Sequence, residues 1–183
     1  MYTHQLRARH EAILVGVGTI LTDDPRLTVR LVAGPDPQPV VLDSRLRFPK
    51  DARMLNNPKK PWIATTRLAP SARRHVLEAA GVQIWELERN SQGLVSLPDL
   101  LDRLGGGGVA SLMVEGGARV ITHFLEERLV DLVFLTIASC FIGGLPAVER
   151  RRRSKQLPEL RETGCRQAGK DILVWGKPVW EQT

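Results

Sequence analysis

Three short segments bring together residue types that could do chemistry. The first is Ser111-Leu112-Met113-Val114-Glu115-Gly116-Gly117-Ala118-Arg119, an apolar strand-like run ending in a carboxylate and two glycines, followed by the helical pattern Val120–Glu127. Glycines let an anion approach the backbone, and the unpaired N–H groups and positive dipole end of the next helix attract it. The same glycines would also serve tight packing of strand on helix, so the pattern has two readings. The second segment is Ala12-Ile13-Leu14-Val15-Gly16-Val17-Gly18-Thr19, with Asp23, Asp24, Arg26 and Arg30 close behind. Gly16 and Gly18 open a G-x-G-x-x-G pattern that Leu21 leaves incomplete. What remains is a polar cluster just past a strand, where α/β sheets place ligands, or else a turn that Asp23 and Asp24 cap. The third comprises Val40-Val41-Leu42-Asp43-Ser44-Arg45 and Thr65-Thr66-Arg67. Both end in hydroxyls and a guanidinium, groups suited to a 2′-phosphate, whereas Asp43 would suit the ribose hydroxyls of a cofactor lacking it.

Other chemistries lack their residues. There is no G-x-S-x-G nucleophile turn and no G-x-x-x-x-G-K-[ST] phosphate loop. His4, His10, His75 and His123 form no H-E-x-x-H pair, and the H-x-E…P-C-x-x-C pattern of zinc deaminases is missing, so no metal is expected. Cys140 and Cys165 are too few for a disulfide framework and read as free thiols of a reducing compartment. No apolar run reaches the ~20 residues of a membrane span and the N-terminal residues lack a secretory core, so a cytoplasmic location is expected. The formal net charge of +6 fits a nucleic-acid surface, a phosphate-rich ligand or only a soluble basic protein, and composition does not choose among them. The run Arg150-Arg151-Arg152-Arg153 with Lys155 has no interleaved aromatics to stack bases and reads as a solvated loop.

The elements that would position these groups alternate in type. Strands are predicted at Ala12–Val17, Pro39–Asp43, Trp62–Thr66, Val82–Leu87, Ser111–Glu115 and Asp131–Ala138. One helix opens at Pro70 and Ser71 and closes at Gly81; another opens at Pro98 and ends at Gly105 through Gly108. Alternation implies a mainly parallel sheet. In the tail, Leu160–Gln167 and Asp171–Trp175 flank Ala168-Gly169-Lys170 as a hairpin, which would add antiparallel edge strands and make the sheet mixed. The 183 residues fit one domain. Gln5–His10 reads as the closing turns of a helix, and a strand expected ahead of it is missing.

Taken in order and spacing, Leu6-Arg7-Ala8-Arg9, Ala12 through Thr19, Asp23-Asp24-Pro25-Arg26-Leu27-Thr28-Val29-Arg30, Val41-Leu42-Asp43-Ser44 and Val114-Glu115-Gly116-Gly117 resemble the reductase domain of bacterial riboflavin biosynthesis, the C-terminal half of bifunctional deaminase-reductases. The resemblance covers residues 5–145 well and implies a dihydrofolate-reductase-like α/β fold that acts as a homodimer, shortened here at its N-terminus. It implies NADPH-dependent reduction of the ribose of 5-amino-6-(5-phosphoribosylamino)uracil, or its diamino pyrimidinone analogue, to a ribityl chain, with neither nucleic acid nor membrane as partner. Arg7, Asp23, Leu27, Arg30 and Glu115 would face the substrate, Asp23 and Glu115 being the candidates for proton transfer. Thr19, Ser44, Gly117, Ala118, Arg119, Val120, Ile121, Thr122 and His123 would hold the cofactor. The sequence departs from the family where a Pro-Lys pair usually precedes Gly-Gly, reading Ala138-Ser139-Cys140-Phe141-Ile142-Gly143-Gly144 instead. A shortened module that binds the dinucleotide without turnover, and a nucleic-acid-binding protein using Arg150–Arg153, are the competing expectations.

Overall fold

The computed structural model describes residues 2–141, 144, 146–149 and 157–180. The basic run from Arg150 to Lys155, and Ile142 and Gly143 of the departing segment, lie outside them. The chain forms two compact units, Met1–Gly117 and Ala118–Thr183.

The first unit is built on five parallel strands, β1 (Ala12–Gly16), β2 (Gln38–Leu42), β3 (Trp62–Thr65), β4 (Gln83–Glu86) and β5 (Leu112–Val114), in the order β4-β3-β2-β1-β5. Ala12, Ile13, Leu14 and Val15 of β1 are all buried. That is why this strand is a continuous apolar run with no alternation: a central parallel strand is covered on both faces. Ile13, Val15, Val41 and Ile63 join Ile20, Leu27, Leu46, Phe48, Met54 and Leu77 in the core. Burying each such side chain contributes roughly 1.5–3 kcal/mol against leaving it in water.

The helices of this unit are α1 (Tyr2–Arg7), α2 (Val17–Asp23), α3 (Ser71–Ala79) and α4 (Leu97–Gly106), with a 3-10 turn at Arg53–Asn56. α4 starts where Ser96 accepts a hydrogen bond from the Asp99 N–H and Pro98 sits in the first turn; it buries Leu97, Leu100 and Leu104 along one stripe. α2 was not among the expected helices. Gly16 has ordinary extended backbone (φ −81°, ψ 152°) and the helix begins at the next residue. The Gly16–Gly18 pair thus stands at a strand-to-helix junction, with Gly18 already inside α2.

The second unit carries α5 (Ala118–Glu126) and three antiparallel strands, β6 (Val133–Ile137), β7 (Glu159–Ala168) and β8 (Asp171–Val179), in the order β6-β8-β7. The expected hairpin is present, turning through Gly169 at φ 66° with Ala168 paired to Asp171. Its strands belong to a separate three-stranded sheet, in which β8 lies between β6 and β7. Parallel and antiparallel strands thus coexist as expected, divided between two sheets. Gly164 is required where it stands, because a Cβ there would lie 2.4 Å from the Trp175 ring. The Trp180 indole N–H donates to Leu125 O at 3.1 Å and ties the end of the chain to α5. Among the described residues no helix is long and apolar enough to cross a membrane.

Candidate functional site

Glu115 follows β5 directly, and its backbone N–H still donates to Leu14 O at 2.9 Å. The sheet ladder therefore delivers its carboxylate at the C-terminal end of a strand. Arg7, the last residue of α1, meets it in a two-pronged pair: Nε to Oε2 at 2.8 Å and Nη2 to Oε1 at 2.6 Å. The third donor, Arg7 Nη1, goes to Thr28 O at 3.1 Å. Arg7 is buried and Glu115 partly exposed, their side chains 10% and 29% accessible. A guanidinium fork on a carboxylate fixes both distance and plane, which a lysine would not do.

The loop that receives Arg7 is pinned along its length. Asp24 Oδ1 accepts from Arg53 N, Asn57 Nδ2 donates to Arg26 O, Asp36 Oδ1 accepts from Val29 N at 2.6 Å, and His4 Nδ1 accepts from Arg30 N at 3.1 Å. Asp24 and Leu27 hold positive φ values of 41° and 58°. Such backbone costs a non-glycine residue on the order of 1 kcal/mol or more, so the pinning contacts are what sustain it. Leu27 turns its side chain into the core at 3% exposure. Any ligand contact from Leu27 therefore falls to its main chain. Arg30 and Asp23 are exposed, and Thr19 is half-buried on α2.

At the ends of β2 and β3 a second group forms. Asp43 is buried; its Oδ2 accepts from Phe48 N at 2.8 Å, while Oδ1 has no hydrogen-bond partner among the described residues. Burial pushes its carboxyl above the usual range, against the lowering effect of backbone N–H groups and Arg47. It closes the Asp43–Phe48 turn and is not displayed to a ribose. Ser44 Oγ accepts from Val95 N at 3.1 Å, and a hydroxyl that accepts can still donate. Arg45 is exposed, and Arg67 Nε lies 3.3 Å from Glu86, a carboxylate also held by Arg74 at 2.7 Å.

Gly116 and Gly117 have φ 90° and 81°, and nothing stands within 4 Å of where a Gly116 Cβ would be. The backbone there needs glycine for its conformation, and the open space suits close approach of an anionic group. In the second unit, α5 exposes Arg119, leaves Ala118, Val120 and Ile121 half-buried, and buries Thr122 and His123. Thr122 Oγ1 donates to Ala118 O at 2.7 Å and accepts from Glu149 N at 2.8 Å.

The structure thus brings Arg7, Glu115 and the Leu27–Arg30 loop together, with Asp23 and Thr19 on the adjoining α2, and places Ser44 in a separate group. His4, Asp36 and Asn57 were not singled out from sequence. His4 lies one helical turn before Arg7, a spacing that is informative only once the helix is known. Among the described residues no group of three or more His, Cys, Asp or Glu could hold a metal ion.

The profile of the RibD C-terminal domain family matches residues 1–174. The 2,5-diamino-6-ribosylamino-4(3H)-pyrimidinone 5′-phosphate reductase of Archaeoglobus fulgidus is 41% identical over 151 residues, covering 76% of this chain and 67% of its own. The enzyme of that name from Aquifex aeolicus is 34% identical over 179 residues, 94% of this chain and 79% of its own. The riboflavin biosynthesis protein RibD of Bacillus amyloliquefaciens is 34% identical, but this chain spans only 48% of it. Among solved structures, the riboflavin biosynthesis reductase Rib7 of Saccharomyces cerevisiae superposes with a TM-score of 0.78 at 26% identity, covering 97% of this chain and 80% of that one. The family profile spans the segments that carry Arg7, Glu115 and the two glycines, and the family implies a nicotinamide dinucleotide cofactor; the chain belongs to the RibD C-terminal domain family.

Proposed function

We propose that this chain catalyses the NADPH-dependent reduction of the ribose of 5-amino-6-(5-phosphoribosylamino)uracil, or of its diamino pyrimidinone analogue, to the ribitylamino product of riboflavin biosynthesis. The observation that carries it is the Arg7–Glu115 fork fixed at the end of β5 beside the pinned Thr28–Arg30 loop. Two relatives bear the name of that pyrimidinone phosphate reductase.

When bound, NADPH would supply the hydride for reduction of the sugar carbon. The protein's own part is placement: holding reacting carbons ~3–3.5 Å apart can remove ~7–11 kcal/mol of barrier without a nucleophile. Arg30, exposed on a loop fixed from three sides, is the guanidinium for the substrate phosphate. Arg7 is already engaged and orients Glu115, whose remaining lone pairs accept from substrate hydroxyl or ring donors. Asp23, exposed at the end of α2, is the carboxylate placed to hold or move a proton. The Leu27 main chain lines the same site.

For the cofactor, Thr19 and Ser44 supply hydroxyls, and Gly117, Ala118, Arg119, Val120, Ile121, Thr122 and His123 form the glycine turn and helix start. The open space beside Gly116 supports an approaching diphosphate. Preference for the 2′-phosphorylated cofactor rests on Ser44, Arg45 and Arg67, and on the burial of Asp43, which removes the carboxylate that would hold a free ribose diol. The protein works in the cytoplasm as a homodimer, a state supported by the exposed apolar side chains of Leu135, Ile137 and Ile172 on β6 and β8. We read the two units as one reductase domain because the family profile spans both.

The test is steady-state oxidation of NADPH and of NADH by the purified chain with the phosphoribosylaminopyrimidine. Substrate-dependent oxidation with at least tenfold preference for NADPH supports the proposal. That ratio is worth about 1.4 kcal/mol, less than one charge-assisted bond to phosphate. Cofactor binding without turnover would instead identify a dinucleotide-binding module.

A further inference from the structure

Two buried side chains on α1 reach the same loop, and the function proposed above uses only Arg7. His4 is 6% exposed, and its Nδ1 accepts the backbone N–H of Arg30 at 3.1 Å. Arg7 takes the carbonyl of Thr28, and Asp36 takes the N–H of Val29. The two consecutive peptide groups Thr28–Val29 and Val29–Arg30 are therefore held by three side chains from elsewhere in the unit. The segment enters through Leu27, whose positive φ and core-bound side chain fix the other end.

We propose that His4 is a positioning residue of the reductase site: its unprotonated Nδ1 holds the Arg30 peptide, fixes where the Arg30 side chain leaves the loop, and so governs capture of the substrate's phosphate. The inference rests on the substrate reading of this loop given above.

A backbone N–H can only donate, so the acceptor nitrogen must be bare and the proton of neutral His4 sits on Nε2. Protonation of Nδ1 would set one N–H against another and break the hold. Burial is the main influence keeping the imidazole below its ordinary value of 6.5; the charges of Arg7 on the same helix, Arg30 in the loop and the chain's amino terminus act the same way, and Glu115 opposes them. The sign follows from this lowering. The hold is complete above 6.5 and is lost as pH falls through the lower value of the folded state. Packing alone asks only for a side chain of this volume, whereas the Arg30 N–H asks for an acceptor at Nδ1. Those two demands can be separated by substitution.

His4→Asn puts a non-titrating acceptor, Oδ1, at the Nδ1 position, and His4→Phe keeps a ring without an acceptor. His4→Phe is expected to raise KM for the phosphorylated substrate about tenfold, leaving kcat and the NADPH Kd within about twofold. His4→Asn is expected to keep the wild-type KM and to lose the acid limb of the kcat/KM profile. Independently of turnover, histidine side-chain nitrogen NMR of the wild-type chain should show the Nε2–H tautomer at neutral pH, with the Arg30 amide shifting as His4 titrates. A wild-type KM in His4→Phe, a defect in His4→Asn equal to that of His4→Phe, an unchanged acid limb in His4→Asn, or a proton on Nδ1 would each overturn the assignment. If His4→Phe does not fold, His4→Asn and the NMR still decide. If the wild-type chain reduces nothing, it is the reductase reading that has failed. His4 is then judged by the NMR and by ribose 5-phosphate binding, which His4→Asn must retain and His4→Phe must weaken.

Discussion

At the scale of single residues, the pair that most constrains function joins positions 108 apart in the chain. A carboxylate at the end of a strand could serve only to finish it. If so, Glu115→Gln would loosen the fork to Arg7 and lower stability while leaving kcat/KM within about twofold. If Glu115 is oriented by Arg7 to meet substrate, the amide presents an N–H to a guanidinium that has no acceptor. The expected result is unchanged NADPH affinity with kcat/KM reduced at least tenfold, about 1.4 kcal/mol of transition-state binding. Steady-state kinetics beside a cofactor titration check it. Asp43 makes the opposite prediction, one of stability rather than rate. Its carboxyl is raised by burial above its ordinary 3.8. Its stabilising contribution is therefore complete below 3.8 and is lost as pH rises through the folded value, where the fold must hold a buried charge. Asp43→Asn keeps an acceptor for Phe48 N without that charge. Its Tm at pH 7 should equal or exceed the wild-type Tm, and the difference should move toward the wild type as pH falls to about 4. A variant less stable at neutral pH and relatively recovered in acid would contradict this.

At the scale of elements, legibility followed burial. β1 stood out because a strand covered on both faces is an unbroken apolar run, and α4 because Pro98 and Gly105–Gly108 mark its ends. α2 was hidden: Val17-Gly18-Thr19-Ile20 combines glycine with β-branched residues of low helix propensity, and the helix exists because Val17 and Ile20 are buried. The sheet assignment of the tail was hidden too, since strand pairing is non-local and a hairpin's own residues do not name its neighbour. In the site, Arg7 and Glu115 were each legible as residues, but their pairing was not, and Asp43 looked like a ribose ligand until its burial was seen. The bulge between Arg161 and Gly164 offers a test at this scale. A Cβ on Gly164 would meet the Trp175 ring at 2.4 Å. Overpacking of this kind costs typically 1–3 kcal/mol, so Gly164→Ala should lower the free energy of unfolding by about that amount and alter tryptophan fluorescence. Wild-type stability in that variant would show that β7 and β8 are not packed as described.

At the scale of the whole chain, the proposed function would direct the net charge of +6 at two phosphorylated ligands, Arg30 at the substrate and Arg45 with Arg67 at the cofactor, while Arg7 is paired with Glu115. A nucleic-acid surface would instead predict binding that falls steeply with salt. The claim that binds these features together is hydride transfer from reduced nicotinamide to the sugar carbon of a phosphoribosylaminopyrimidine. Its most direct measurement uses NADPH carrying deuterium on the transferred position of C4, turned over by this chain, with the product analysed by mass spectrometry and NMR. One deuterium per product molecule is expected, located at C1′ of a ribitylamino chain. NADPH oxidation that leaves C1′ unlabelled, or an unreduced ribose after prolonged incubation with a saturating cofactor, would contradict it.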